Sequence, residues 1–213
     1  MDGDACLAGL AVAGAGRAVV SRTKLRSRRE VLERVRALSE PLRVALSTLP
    51  DRKDDPAVIE AVWQGEGLGV LLWSLGLVEL EPYDRPFDAE WLLATPTAPG
   101  NLRAKPEIEH ALETARLWHW RARSEALRAA DALELPPSWD SFEQLVAVAA
   151  MRGYERGILP SPLRGDFPAF GTGYRDLSEA QRAEIVSIAY ERHRALAWLV
   201  GAGRAWAETH TDT

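Results

Sequence analysis

The chain has 213 residues, and 31 acidic side chains against 26 lysines and arginines give it a formal net charge of −5. This length suits one domain with a sizeable core, and the negative charge disfavours binding of the whole molecule to nucleic acid or to an anionic membrane. The single cysteine, Cys6, excludes an internal disulfide and a cysteine-based zinc motif, so we predict a cytoplasmic protein.

Residues 1–20 form an alanine- and glycine-rich segment, either an alanine-rich helix or a partly ordered N-terminus. No apolar run in the chain reaches the roughly 18 residues of a membrane span, and Asp2 and Asp4 replace the positive start of a signal peptide. Gly14-Ala15-Gly16 lacks the rest of a dinucleotide-binding loop, so we predict no cofactor. Residues 21–213 are assigned to a single compact α-helical domain.

A basic stretch, residues 21–36, overlaps the first pattern of apolar residues at helical spacing. We interpret it as a solvated, charge-laced helix face. Nucleic-acid contact is the alternative, but no aromatic side chains interleave the basic ones for base stacking. Pro41 should end or restart this helix, with a second short helix over residues 42–49.

Asp54 or Asp55 can cap the next helix, which starts at Pro56 and extends to about Leu75. Its second half is apolar nearly all round, which places it at the centre of the fold. Three glycines lie in this half, at a cost of about 1 kcal/mol each against alanine: Gly65, Gly67 and Gly69. Either another backbone approaches closely there, or the helix breaks to line a pocket. Glu66 lies among these glycines and projects onto the apolar face.

A short helix over residues 88–93 and a proline-containing turn over residues 95–100 lead to a long helix from Pro106 to about Leu133. One face of the long helix is alanine, which lets a neighbouring helix approach closely. His119 projects into that face. A lone histidine on an apolar face is more often a hydrogen-bonded core residue than a ligand.

A further helix covers residues 142–152, and a glycine- and proline-rich loop follows near residues 153–175. A loop this long in a compact domain is usually functional or poorly ordered. Three aromatic side chains indicate that it packs against the core: Phe167, Phe170 and Tyr174. Since no strand pattern is present, the fold is predicted to be all-α, with about six to eight helices.

Ser178 and Gln181 form a capping box at the start of the last helix, and Gly201 stands where its C-cap glycine belongs. Projected at about 100° per residue, Arg192 falls in the middle of the apolar stripe and His193 at its edge. Four side chains fall on the opposite face, where water is expected: Glu184, Ser187, Glu191 and Arg194.

A guanidinium in a core stripe is rarely unpaired, because arginine does not lose its charge. We expect Arg192 to bind the carboxylate of Glu66 through two parallel hydrogen bonds. In the tail beyond the last helix, Trp206 offers a large apolar surface, so the tail is expected to dock rather than fray.

The segment 190–199 reads Y-E-R-H-R-A-L-A-W-L, and the chain ends in T-D-T. Together with residues 63–76 and 118–123, this pattern resembles a bacterial family of unknown function, catalogued as domain of unknown function four-two-seven-two. The family's ending reads E-R-H-x-A-L-N-W-L, then a Trp, then T-D-T, so Ala197 replaces the usual asparagine. The resemblance covers roughly residues 22–213. Because the family has no activity to carry over, it implies fold and domain extent alone.

Four ionisable side chains on or beside apolar helix faces are the candidate site residues: Glu66, His119, Arg192 and His193. They come from three predicted helices. If they converge in one buried site, the low dielectric strengthens each hydrogen bond and makes each unpaired group costly.

Two classes of function fit these residues. The first is a non-enzymatic protein-interaction or adaptor module, whose buried polar cluster fixes helix register and whose partner is another protein. It is favoured because no nucleophile elbow, phosphate-binding loop or HExxH motif is present. The second is an enzyme or metal-dependent binder, with all four residues as catalytic candidates. Glu66, His119 and His193 would then supply a ligand set known for zinc and non-haem iron, although Arg192 beside a metal would repel it.

Overall fold

The computed structural model describes residues 24–97, 101–203, 205–209 and 211. Within them the protein is all-α, which confirms the predicted fold class, and it has six α-helices. The helices are α1 (Arg28–Thr48), α2 (Pro56–Ser74), α3 (Ala89–Ala94), α4 (Lys105–Ala129), α5 (Phe142–Glu155) and α6 (Glu179–Leu199). The predicted N-terminal segment, residues 1–20, lies outside the described residues.

Helices α2 and α6 lie at the centre of the fold and pack against each other, while α1 packs on α2 and α4 packs on α6. One hydrophobic core lies between α1, α2, the first half of α4 and the end of α6. A second joins the middle of α4, the end of α5 and the beginning of α6. Helix α6 therefore takes part in both cores. None of the described helices has the length and apolar character needed to cross a membrane.

The ends of the two central helices lie where the sequence predicts them. Asp55 caps α2, and Ser178 with Gln181 forms the capping box of α6. Gly76 and Gly201 follow the two helices with φ of 71° and 79°. The residue that ends a helix in this left-handed conformation is usually glycine, because glycine has no Cβ to oppose it.

Helix α1 continues through Pro41, whereas the sequence predicts a break there. Val35 and Leu38 before the proline and Leu42 and Ala45 after it are all buried. Burial of this continuous face offsets the cost of an interior proline, about 3 kcal/mol. The prediction was wrong because it weighed the local effect of proline without the packing on either side.

Helix α4 ends at Ala129, earlier than the predicted Leu133. Asp131 takes the left-handed conformation with φ of 55°, and its N–H donates to the carbonyl of Arg128. This bond belongs to the turn that closes many helices, usually around glycine. An aspartate in that position leaves no comparable pattern in the sequence.

Glu191, predicted on the water-facing side of α6, is buried at 5% exposure. Glu191 pairs with Arg194 at 3.5 Å, and the C-terminal tail covers this end of the face, since the Arg194 guanidinium lies over the ring of Trp206, 5.2 Å from its centroid. Trp206 is itself 5% exposed, which confirms that this side chain of the tail docks, while residues 204, 210, 212 and 213 lie outside the described residues. A single-helix projection gives the wrong result here because it does not include the returning chain.

Helix α2 is unbroken through its glycines, and side chains rather than another backbone occupy the space beside them. A Cβ at Gly67 would lie 3.2 Å from the ring of Trp206. A Cβ at Gly69 would overlap the ring of Phe87. These two glycines therefore let aromatic rings pack directly on the helix backbone.

The glycine- and proline-rich loop packs against the core, as predicted from its aromatic residues. Phe167 and Tyr174 are 0% and 1% exposed. Phe170 is exposed, because it lies at the turn of a short hairpin. Strand β1 (Pro168–Ala169) pairs antiparallel with strand β2 (Thr172–Gly173). Strands of two residues are too short to show the alternation on which strand prediction depends.

We predict opposite effects of alanine at two glycines of α2. Gly69→Ala should lower the free energy of unfolding by about 1–3 kcal/mol, because its Cβ overlaps the Phe87 ring. Gly65→Ala is the matched control, since its Cβ would lie 3.5 Å from Leu42, and it should raise stability by up to about 1 kcal/mol. Urea denaturation measures both, and equal effects at the two positions would contradict the packing described.

Candidate functional site

A buried ion pair joins the two central helices. Glu66 on α2 and Arg192 on α6 are 3% and 1% exposed, and Arg192 Nε donates to Glu66 Oε2 at 2.8 Å. Glu66 Oε1 accepts from the Phe87 N–H at 2.8 Å. Burial raises the pKa of the Glu66 carboxyl, although Arg192 and the Phe87 N–H act in the opposite direction. The predicted pair is confirmed, but one hydrogen bond joins the two side chains instead of two parallel ones.

The other N–H groups of Arg192 hold the loop between α2 and α3. They donate to three backbone carbonyls, those of Glu81, Pro82 and Arg85. The guanidinium also lies 5.0 Å from the ring centroid of Tyr83 and 4.8 Å from that of Phe87. One side chain therefore ties this loop to both central helices. The sequence does not indicate these bonds, because backbone carbonyls carry no residue-type pattern.

The two candidate histidines bind each other. His119 on α4 and His193 on α6 are 9% and 2% exposed, and their Nδ1 atoms lie 3.0 Å apart. Burial lowers the pKa of His119 to about 4 and that of His193 to about 3. Nearby positive charge adds to the effect, from Arg123 on His119 and from Arg116 on His193. Both rings are therefore neutral near pH 7, and one Nδ1 donates to the other.

The four predicted site residues thus form two pairs. Arg192 binds Glu66 on α2, whereas its neighbour His193 binds His119 on α4. Across the part of the chain that the structure describes, no group of three or more His, Cys, Asp or Glu side chains is placed to hold a metal ion. The carboxylate and the two imidazoles considered as metal ligands are not brought together. Each pair instead joins α6 to one neighbouring helix.

A second buried guanidinium, Arg121 on α4, holds the hairpin. Its Nε and Nη2 donate to the two carboxylate oxygens of Asp166 at 2.8 and 2.9 Å, and its Nη1 donates to Glu125 at 2.8 Å. Asp166 also accepts from the N–H groups of Phe167 and Arg175. Sequence reasoning missed this network. Only the spacing of Arg121 and Glu125, four residues apart on one helix, could have indicated part of it.

Arg192, with its bonds to Glu66 and to the loop carbonyls, is called the anchor below. A cleft of about 750 Å³ lies beside it, between α2, α4, α6 and two connecting loops. This volume lies within the range of ligand-binding pockets. Its walls are aromatic and aliphatic side chains, chiefly Trp73, Leu80, Tyr83, Trp118, Ile158 and Leu196. Tyr83 stacks on Trp118 with ring centroids 5.2 Å apart. The cleft escaped the sequence analysis because its walls come from widely separated segments.

Polar side chains border this apolar surface. They are Glu81, Asp84, Arg103, Glu107, His110, Thr114 and Arg192. Arg103 lies over the ring of Trp73, 5.1 Å from its centroid, and donates to the Trp73 carbonyl at 2.9 Å. The arrangement combines an apolar surface with hydrogen-bonding groups, a composition that is typical of ligand-binding pockets.

Comparisons with family models, with curated proteins and with solved structures find no match for this chain. Its resemblance to the bacterial family of unknown function therefore stays a prediction.

We predict that Arg192→Met lowers the free energy of unfolding by about 3–5 kcal/mol, because it leaves the Glu66 carboxylate buried without its cation. The double variant Arg192→Met with Glu66→Leu should recover only part of this loss, since three loop carbonyls stay without a donor. Arg29→Met is the control for an exposed pair, with Glu33, and should cost under about 1 kcal/mol. Denaturation curves decide between these values. Equal losses for Arg192→Met and Arg29→Met would contradict burial of the anchor.

The histidine pair predicts a loss of stability in acid. Both pKa values lie below the unfolded value of about 6.5, so below that pH the unfolded chain binds protons that the folded chain does not. Stability should therefore fall between about pH 6.5 and the folded pKa values, and be constant with respect to this pair above about pH 6.5. Replacing both residues, His119→Leu with His193→Leu, should make the fall shallower.

The midpoint of urea denaturation is measured at about pH 7.5 and at about pH 5, for the unchanged protein and for the double variant. The change in midpoint between the two pH values gives the pH dependence of stability for each protein. His110→Leu is the control, because His110 is exposed on the same helix as His119. It should keep the pH dependence of the unchanged protein. An equal pH dependence in the double variant would rule out the buried pair as its source.

Proposed function

We propose that the protein is a non-enzymatic binding module, and that the cleft beside Arg192 receives an apolar segment of a partner protein. The observation that carries this proposal is the cleft itself, about 750 Å³ in volume and walled by aromatic and aliphatic side chains. A concave apolar surface of this kind buries the anchor side chains of a bound segment.

The bonding of four buried ionisable groups, Glu66, Asp166, His119 and His193, supports binding over catalysis. A catalytic acid, base or nucleophile must reach the reacting atoms of a substrate. Glu66 and Asp166 instead accept hydrogen bonds from arginines and backbone N–H groups on both of their oxygens. His119 and His193 are directed at each other. These groups therefore serve to position helices and loops.

The composition of the cleft favours a protein partner. Tryptophan and tyrosine, which are enriched at the centres of protein interfaces, form its walls, and polar side chains surround them. The lone cysteine, Cys6, supports a cytoplasmic setting for this interaction.

Selection from a displayed library of random peptides tests the proposal. Peptides enriched on the protein should lose binding by about tenfold or more when Thr114→Trp fills the cleft, since each 1.4 kcal/mol of lost contact is tenfold in affinity. Ala126→Trp is the matched control, because Ala126 is exposed on the same helix and does not line the cleft. Peptides that bind the Thr114→Trp variant undiminished, or the absence of any enriched peptide, would overturn the proposal.

A further inference from the structure

The positive groups of the cleft are already bound within the chain. Arg192 donates to a carboxylate and to three backbone carbonyls. Arg103 donates to the carbonyl of Trp73 and to the carboxylates of Glu79 and Glu107. A guanidinium has five N–H groups and no acceptor, so these bonds leave one N–H of Arg192 and two of Arg103 for a ligand.

The acidic groups of the cleft keep most of their acceptor capacity. Three carboxylates line it: Glu81, Asp84 and Glu107. Asp84 accepts from the N–H of Phe170, and Glu81 accepts from Arg85 at 3.3 Å. Glu107 accepts from Arg103 at 3.3 Å and from the Ala104 N–H at 3.0 Å. Because an ionised carboxylate offers about four acceptor positions, each of the three can accept further hydrogen bonds.

The prolines and Thr114 add no donors to the cleft. Four prolines, which have no N–H, line the cleft: Pro82, Pro106, Pro160 and Pro168. The hydroxyl of Thr114 lies within hydrogen-bond distance of two carbonyls, those of His110 and Ile158, and donates there. Four other lining side chains have an N–H or O–H group: Trp73, Tyr83, His110 and Trp118. The charged groups that the cleft leaves open to a ligand are therefore mainly carboxylates, and its walls are apolar.

We propose that the segment bound in the cleft carries a basic side chain, lysine or arginine, beside an apolar one. The apolar side chain lies against Trp73, Trp118 and Leu196, and the ammonium or guanidinium binds the carboxylates of Glu81 and Asp84. This inference rests on the proposed function, because it names the chemistry of the segment that the cleft receives.

Charge complementarity selects a cation over an anion here. An anionic group would lie among three carboxylates, while the two guanidinium groups that could bind it are held by the chain. A cation gains attraction to the carboxylates in a site partly screened from water, where charges interact more strongly than in bulk solvent. The N–H groups of the cation can also donate hydrogen bonds to the free acceptor positions of these carboxylates.

Three small molecules that share an indole ring and differ in charge test the inference: tryptamine, indolepropionate and tryptophol. Binding is followed by the backbone amide signals of Ala111, Thr114 and Leu196, which line the cleft. Tryptamine should bind about tenfold or more tightly than indolepropionate, with neutral tryptophol between them, and added salt should narrow the difference.

A pair of isosteric substitutions identifies the carboxylates responsible. Glu81→Gln with Asp84→Asn should abolish the preference for tryptamine, while the amide oxygen introduced by Asp84→Asn still offers an acceptor to the Phe170 N–H. Asp51→Asn with Asp54→Asn is the matched control, because it changes the net charge equally at exposed positions in the loop between α1 and α2. This control should keep the full preference. Thermal melting of both variants confirms that each is folded.

The outcomes separate this inference from the proposed function. Equal binding of tryptamine and indolepropionate, no binding of tryptamine, or a preference that survives Glu81→Gln with Asp84→Asn overturns the inference. Library peptides that bind the cleft without a basic residue also overturn it, and they leave the proposed function standing. A tryptamine preference without any enriched peptide overturns the protein partner instead and assigns the cleft to a small amine.

Discussion

Arg192 places a charge that it cannot lose in a position where 1% of its surface meets water. Such a group is tolerated only if its donors have acceptors in fixed positions. Here the acceptors come from α2, through Glu66, and from the loop that follows α2. The register of α6 against α2 and the course of that loop are thus set by the same guanidinium.

A second buried arginine holds an irregular segment in the same way. Arg121 on α4 binds Asp166 through two hydrogen bonds, and Asp166 in turn accepts from backbone N–H groups of the hairpin segment. Irregular segments have polar backbone groups that helices and strands would otherwise satisfy. In a mostly helical fold, a buried arginine or aspartate can satisfy several of these groups at once. Each of the two long connections that border the cleft is fastened to a helix in this way.

The helices and the central pair could be predicted from the sequence, whereas the surroundings of that pair could not. Capping residues such as Ser178 and the apolar stripes predict the elements because both depend on short-range spacing. Arg192 and Glu66 could be matched because each is a lone charge of opposite sign on an apolar face. Asp166 and the carbonyls around Arg192 stayed hidden, since they lie in irregular segments without periodicity. The pairing of His119 with His193 likewise requires the packing of α4 on α6.

The loop at residues 81–85 forms one wall of the cleft, and the hydrogen bonds of Arg192 hold it before any ligand arrives. A preformed wall removes the conformational entropy that a mobile loop would lose when it closes over its ligand. For the proposed ligand, association would then be governed by diffusion and orientation, with no slow ordering step, and differences in affinity would reside mainly in dissociation rates.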